Sequence, residues 1–137
     1  MNHYEIDDLS VGMRVEMSKK ITDEMMNYFR MISGDESSIH VNPQFAKGKG
    51  FKDRVVYGML SSTFFSTVVG MYLPGENGLL QSMQCDYLRP VYINDNLHVT
   101  AEIEAIHESV GQITIKADIK NDNNDVVVIG KIKALVI

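Results

Sequence analysis

Asp35 and His40 stand five residues apart, just beyond a helical pattern that closes at Ser33-Gly34. A carboxylate and an imidazole form a workable acid–base pair. Imidazole as a residue type titrates near neutrality, and a carboxylate holds or deprotonates a water. In a continued helix, a five-residue step would turn the two side chains about 140° apart. Gly34, Ser37 and Ser38 are poor helix-interior residues, so the chain is expected to leave the helix here and let the pair converge. Spacing alone favours the plainer reading, an Asp35 that caps the next turn and a His40 that is an ordinary loop histidine.

The second candidate lies where Val55-Val56-Tyr57 runs into Gly58-Met59. A glycine opening a helix lets a ligand approach the backbone closely. The free amides there, at the positive end of the helix dipole, stabilise a developing oxyanion. Tight packing is the plainer reading of Gly58 alone. Lys47, Lys49, Lys52 and Arg54 form a basic run that suits phosphates or simply a solvated loop. His3, His98 and His107 lack metal-ligand spacing, so no metal site is expected. Cys85 has no partner cysteine and reads as core.

The elements that must position these residues follow from periodicity. Val11 to Ile21 reads as a strand after a Gly12 turn. Thr22 then caps a helix carrying Met25, Met26, Phe29 and Ile32 on one apolar stripe. Asp35 to Tyr57 reads as a long loop with one short helical turn, and long ordered loops are often functional. Gly58 to Tyr72 reads as a helix apolar nearly all round, therefore wrapped on several sides. From Leu79 the period changes to two, and three or four antiparallel strands follow. One buried helix ahead of a run of strands predicts an α+β domain with the sheet wrapped round the helix.

Length and composition bound the answer. The chain has 137 residues, 45% hydrophobic and 23% charged, which suits one globular domain spanning 1–137 and excludes a disordered or fibrous class. Its net charge of −5 gives no reason to expect nucleic acid or an anionic membrane as partner. The N-terminus is polar and acidic, unlike a secretory leader, and Met59 to Leu73 is too short and too hydroxylated for a bilayer span. With a single cysteine, a cytoplasmic location is the expectation.

With those residues in view, Asp35-Glu36-Ser37-Ser38-Ile39-His40-Val41-Asn42-Pro43-Gln44-Phe45-Ala46 resembles the hydratase motif of MaoC-like, (R)-specific enoyl-CoA hydratases. Tyr57-Gly58-Met59-Leu60 with Phe64-Phe65-Ser66 is similar to that family's His-Gly-Met-Leu helix start and downstream serine. Leu73-Pro74-Gly75 and Tyr87-Leu88-Arg89-Pro90-Val91 resemble its later landmarks. The resemblance implies the hot-dog fold, a homodimer with acyl tunnels at or near the subunit interface, and no metal or organic cofactor. It implies that Asp35 and His40 hold the catalytic water and exchange protons with a 2-enoyl thioester on CoA or acyl carrier protein. It further implies that the Gly58 amide binds the thioester carbonyl, that Ser66 supports the aspartate, and that Tyr57 and Met59 help to line the substrate site. Two positions depart from the family pattern: Ser37-Ser38 stands where Asn-Pro is usual, and Tyr57 where His is usual. Both are expected to bear on substrate scope. A thioesterase on the same fold and a non-catalytic acyl-binding module are the rival readings.

Overall fold

A computed structural model describes residues 1–137. After a short 3-10 turn, strand β1 (Arg14–Lys20) leads into helix α1 (Asp23–Ser33). The Thr22 hydroxyl accepts the Met25 amide at 3.2 Å, and Asp23 and Glu24 place negative charge on the first turn. Gly34 ends the helix in the left-handed conformation at φ 69°, and its amide donates to the Arg30 carbonyl at 2.8 Å.

The stretch read as a loop contains two short helices, α2 (Ser38–Val41) and α3 (Pro43–Gly48). Asn42 and Pro43 look like punctuation in the sequence, yet they start α3. The Asn42 side chain accepts the Phe45 amide at 3.0 Å, and Pro43 occupies the first turn, where its missing N–H costs nothing.

The buried helix runs as α4 (Gly58–Ser62), α5 (Phe64–Thr67) and a π-helical turn from Val68 to Tyr72. Thr63 keeps right-handed helical angles between α4 and α5, so the rod is continuous. Phe65 and Val68 are fully buried and Phe64 and Val69 nearly so, as an apolar circumference requires.

Strands β2 (Gly78–Tyr87), β3 (Asn96–His107), β4 (Gln112–Lys120) and β5 (Val126–Val136) complete an antiparallel sheet. The spatial order is β1-β3-β4-β5-β2, so β1 joins the later strands to make five. The period-two reading holds on the face toward the helix, where Leu97, Val99, Ala101 and Ile103 are buried beside Ile113, Ile115 and Ile119. A bulge between Ile103 and Ala105 breaks the alternation, leaving Ala105 only half-buried. At Gly130 the sheet meets the helix most closely. A Cβ there would lie 2.6 Å from Phe65 Cε2. This sheet curled round one helix is the hot-dog fold, an α+β architecture. No helix in it is long and apolar enough to cross a membrane.

Two expectations need correction. The α1 stripe reaches the core only as far as Phe29, because the last turn stands clear of the sheet and Ile32 is 84% exposed. Cys85 is half-buried rather than central, since β2 is an edge strand that lacks a covering neighbour.

Candidate active site

The site begins where α1 stops. Asp35 Oδ1 accepts the Ser37 amide at 2.9 Å, a local turn that replaces helical bonding, and the Asp35 amide donates to Ser33 Oγ at 3.2 Å. Glu36 is ion-paired with Arg30 of α1, which ties the loop back to the helix. The second carboxylate oxygen of Asp35 makes no hydrogen bond within the chain.

His40 sits in α2, half-buried. Its Nδ1 donates to the Val55 carbonyl at 2.7 Å. A carbonyl only accepts, so the proton lies on Nδ1 and the neutral ring keeps Nε2 as a free acceptor. The Val55 amide donates in return to the Ile39 carbonyl at 3.1 Å, fixing α2 against the segment that enters the buried helix.

Tyr57 links the two candidate catalytic residues. Its ring stacks on His40 with centroids 4.1 Å apart, and on Phe29 at 4.9 Å. Its hydroxyl donates to the Asp35 carbonyl at 2.8 Å. One side chain, 3% exposed, therefore braces the histidine ring and tethers the aspartate's backbone. Burial, and then the neighbouring Asp35 carboxylate, push the phenol above its ordinary range, so it remains a donor through neutral pH.

Gly58 opens the buried helix, and the first amides of a helix have no acceptor within it. Gly58 and His40 line one cavity of about 330 Å³. Its walls are largely apolar, built by Phe51, Val55, Val56, Leu88, Val91 and Val128, with Ser61, Tyr87 and Arg89 as further polar members. The Tyr87 ring packs against Gly58: a Cβ added there would lie 3.0 Å from it. Ser62 Oγ and the Tyr87 hydroxyl, 3.0 Å apart, hold that ring in place. Arg89 is mostly exposed and meets Asp125 only at 3.9 Å, which leaves a cation beside the cavity.

Of the residues singled out in the sequence, the single chain brings together Asp35, His40, Tyr57 and Gly58, the first through the Tyr57 tether. Asp35 is exposed and does not line the cavity. Met59 is 68% exposed and does not line it, and Ser66 is exposed with no hydrogen bond to Asp35. The basic run also stays outside: Lys49 and Lys52 lie over the rings of Phe45 and Tyr92, and Arg54 pairs with Asp23 at 2.6 Å. Tyr87, Ser61 and Arg89 were not expected as cavity residues. Only the Tyr87–Val91 landmark hinted at two of them.

A different constellation lies on the sheet's outer face. His98 Nδ1 is 2.9 Å from Ser18 Oγ, and its Nε2 is 2.8 Å from Asp122. The hydrogen bond from His98, then that from Asn96, hold the Asp122 carboxyl below its usual range. No cavity is built over these exposed groups. They fasten β1 and β3 to the β4–β5 turn.

A five-stranded antiparallel sheet curled round one buried helix places the protein in the hot-dog class. The model of the MaoC like domain matches residues 9–125, and the chain belongs to that family. It is 27% identical over 123 residues to the (R)-specific enoyl-CoA hydratase of Aeromonas caviae, covering 90% of this chain and 92% of that one. It is 31% identical over 104 residues to the (R)-specific enoyl-CoA hydratase of Rhodospirillum rubrum, covering 76% and 72%. The mitochondrial 3-hydroxyacyl-[acyl-carrier-protein] dehydratase of Arabidopsis thaliana is 28% identical over 130 residues, covering 93% and 77%. Among solved structures, the (R)-hydratase from A. caviae superposes with a TM-score of 0.89 at 26% identity, over 94% of this chain and 98% of that one.

Proposed function

We propose that this protein adds water across the C2–C3 double bond of 2-enoyl thioesters to give (R)-3-hydroxyacyl thioesters, or catalyses the reverse dehydration. The observation that carries the reading is the cavity itself, where the acceptor nitrogen of His40 and the start of a buried helix share one apolar chamber. The relatives' names support the reaction class, and the family motif supports the residue roles.

The thioester carbonyl accepts from the Gly58 amide, which stabilises the enolate as it forms; one such fixed donor is worth about 3 kcal/mol of barrier. Water is held between His40 Nε2 and the free oxygen of Asp35. In hydration, Nε2 takes a proton from water as the oxygen bonds to C3, and the imidazolium returns a proton to C2. Dehydration runs the same transfers backwards. The Val55 carbonyl keeps the ring in the tautomer this requires. Neither CoA nor acyl carrier protein is favoured as carrier, and Arg89 offers a phosphate contact to either.

The active unit we propose is a homodimer. Strand β2 is a sheet edge with Leu79, Leu80, Met83 and Tyr87 each 39% to 51% exposed. An unpaired apolar edge of that kind is a template for strand pairing. Following loss of the enoyl-thioester absorbance with crotonyl-CoA tests the activity. Asp35→Asn and His40→Ala are each expected to lower kcat at least a hundredfold, and full activity in both would remove their assigned roles.

A further inference from the structure

Outside the cavity, one short segment runs against the charge of the whole molecule. The chain has a net charge of −5, yet Pro43 to Lys52 holds three lysines and no carboxylate. Lys47, Lys49 and Lys52 are all exposed, and none of them forms an ion pair. The next carboxylate, Asp53, is turned onto the Arg54 amide, which donates to its Oδ1 at 2.7 Å.

The fold holds this basic segment against the cavity. Ala46 is fully buried and anchors α3. Gly50, left-handed at φ 88°, then turns the chain, and the Phe51 amide returns to the Ala46 carbonyl at 3.1 Å. That turn leaves Phe51 in the cavity wall and the lysines outside it. The cavity opens where its lining residues are also exposed, at Leu88, Arg89 and Pro90. Lys52 is tied to the same stretch. Its amide donates to the Tyr92 hydroxyl at 3.3 Å, and its ammonium lies 5.6 Å from the centre of that ring.

Resting on the hydratase reading above, we propose that this segment docks an acidic, helical acyl carrier protein as the bearer of the thioester. The chemistry inside the cavity favours neither carrier; the surface outside it does. The nucleotide of CoA calls for donors that converge on its phosphates and a slot for its base. These lysines do not converge: Lys49 lies over the ring of Phe45 and Lys52 over that of Tyr92. Phe45, 43% exposed, adds an apolar member that a protein partner can cover. Separate surface cations add little to the hold on a small ligand. Against a carboxylate-rich protein face they act together, steering the encounter and raising the association rate.

The test presents the crotonyl group on a bacterial acyl carrier protein, on CoA and on pantetheine alone. Values of kcat/KM are compared for wild type and for the double variant Lys49→Glu, Lys52→Glu. On the carrier protein the variant should lose about tenfold or more, through KM, and on pantetheine it should stay within about twofold of wild type. The wild-type value on the carrier protein should also fall as salt is added. An unchanged value on the carrier protein overturns the inference. So does an equal loss on CoA, which would assign the lysines to nucleotide phosphates. If wild type turns over none of the three, the hydratase reading fails, and docking is decided by binding. Titration with the unloaded holo carrier protein at low salt should then show a complex that the double variant weakens about tenfold or more. No complex, or one of equal strength in the variant, overturns it.

Discussion

Replacing Tyr57 by phenylalanine separates what the phenol does for stability from what it does for geometry. The ring stays, with its 4.1 Å stack on His40, and only the hydroxyl that reaches the Asp35 carbonyl at 2.8 Å is lost. Asp35 is exposed, so water takes over its carbonyl, and the net stability cost is that of one ordinary hydrogen bond, about 1 kcal/mol. For a chain of this length that corresponds to a fall of about 3–5 °C in Tm. The geometric effect is larger. The tether is a direct bond between the Asp35 loop and the His40 side of the site, and a displacement of about 1 Å in a catalytic group costs up to a hundredfold. We therefore expect kcat to fall tenfold or more on crotonyl-CoA, with KM changed less than threefold. The assay is the loss of enoyl-thioester absorbance, beside a thermal melt of the same preparations. A Tm lowered as expected with kcat unchanged would refute the reasoning, because the bond would then be structural only.

Further expectations concern other parts of the fold. Gly58→Ala places a methyl 3.0 Å from the Tyr87 ring, which yields only by giving up its bond to Ser62; kcat/KM should drop at least tenfold and Tm should fall by about 3–5 °C, the cost of about one hydrogen bond. Gly130→Ala meets the fully buried Phe65 at 2.6 Å, where nothing can yield. The overpacking should cost about 2–3 kcal/mol, read as a lower denaturant midpoint. Burial raises the Cys85 thiol above its ordinary range, so little thiolate exists at neutral pH. Alkylation by iodoacetamide at pH 7 should be several-fold slower than in urea, and equal rates would contradict its placement. Leu80→Lys with Met83→Lys should shift the sedimenting species from dimer to monomer and remove activity with it.

Much of this was legible in the residue order, for reasons that can be traced. Gly58 to Tyr72 announced a wrapped helix because apolar side chains cover its circumference, and the two middle strands, β3 and β4, announced themselves by alternation. Asp35 and His40 were visible as a pair, but their convergence depends on the Asp35–Ser37 turn and the Tyr57 tether, which act across 22 residues of chain. The loop read from Asp35 to Tyr57 holds two short helices because Pro43, a breaker inside a helix, sits in the first turn of α3, where it is tolerated. Ile32 fitted the α1 stripe by period, yet periodicity does not reveal where a helix outruns the sheet beneath it. Ser61 was indistinguishable from Ser62 in the sequence, since only the packed structure shows which hydroxyl finds a partner. Ser66 and Met59 lie exposed, away from the cavity, which neither residue type nor spacing reveals.

The central claim is that this cavity performs stereospecific hydration. The most direct measurement incubates the wild-type protein with crotonyl-CoA and resolves the product by chiral chromatography, with free thiol followed in parallel. The account predicts (R)-3-hydroxybutyryl-CoA, no thiol release, and loss of product in His40→Ala. Thiol released in step with substrate loss, or tight binding with no product at all, would contradict it.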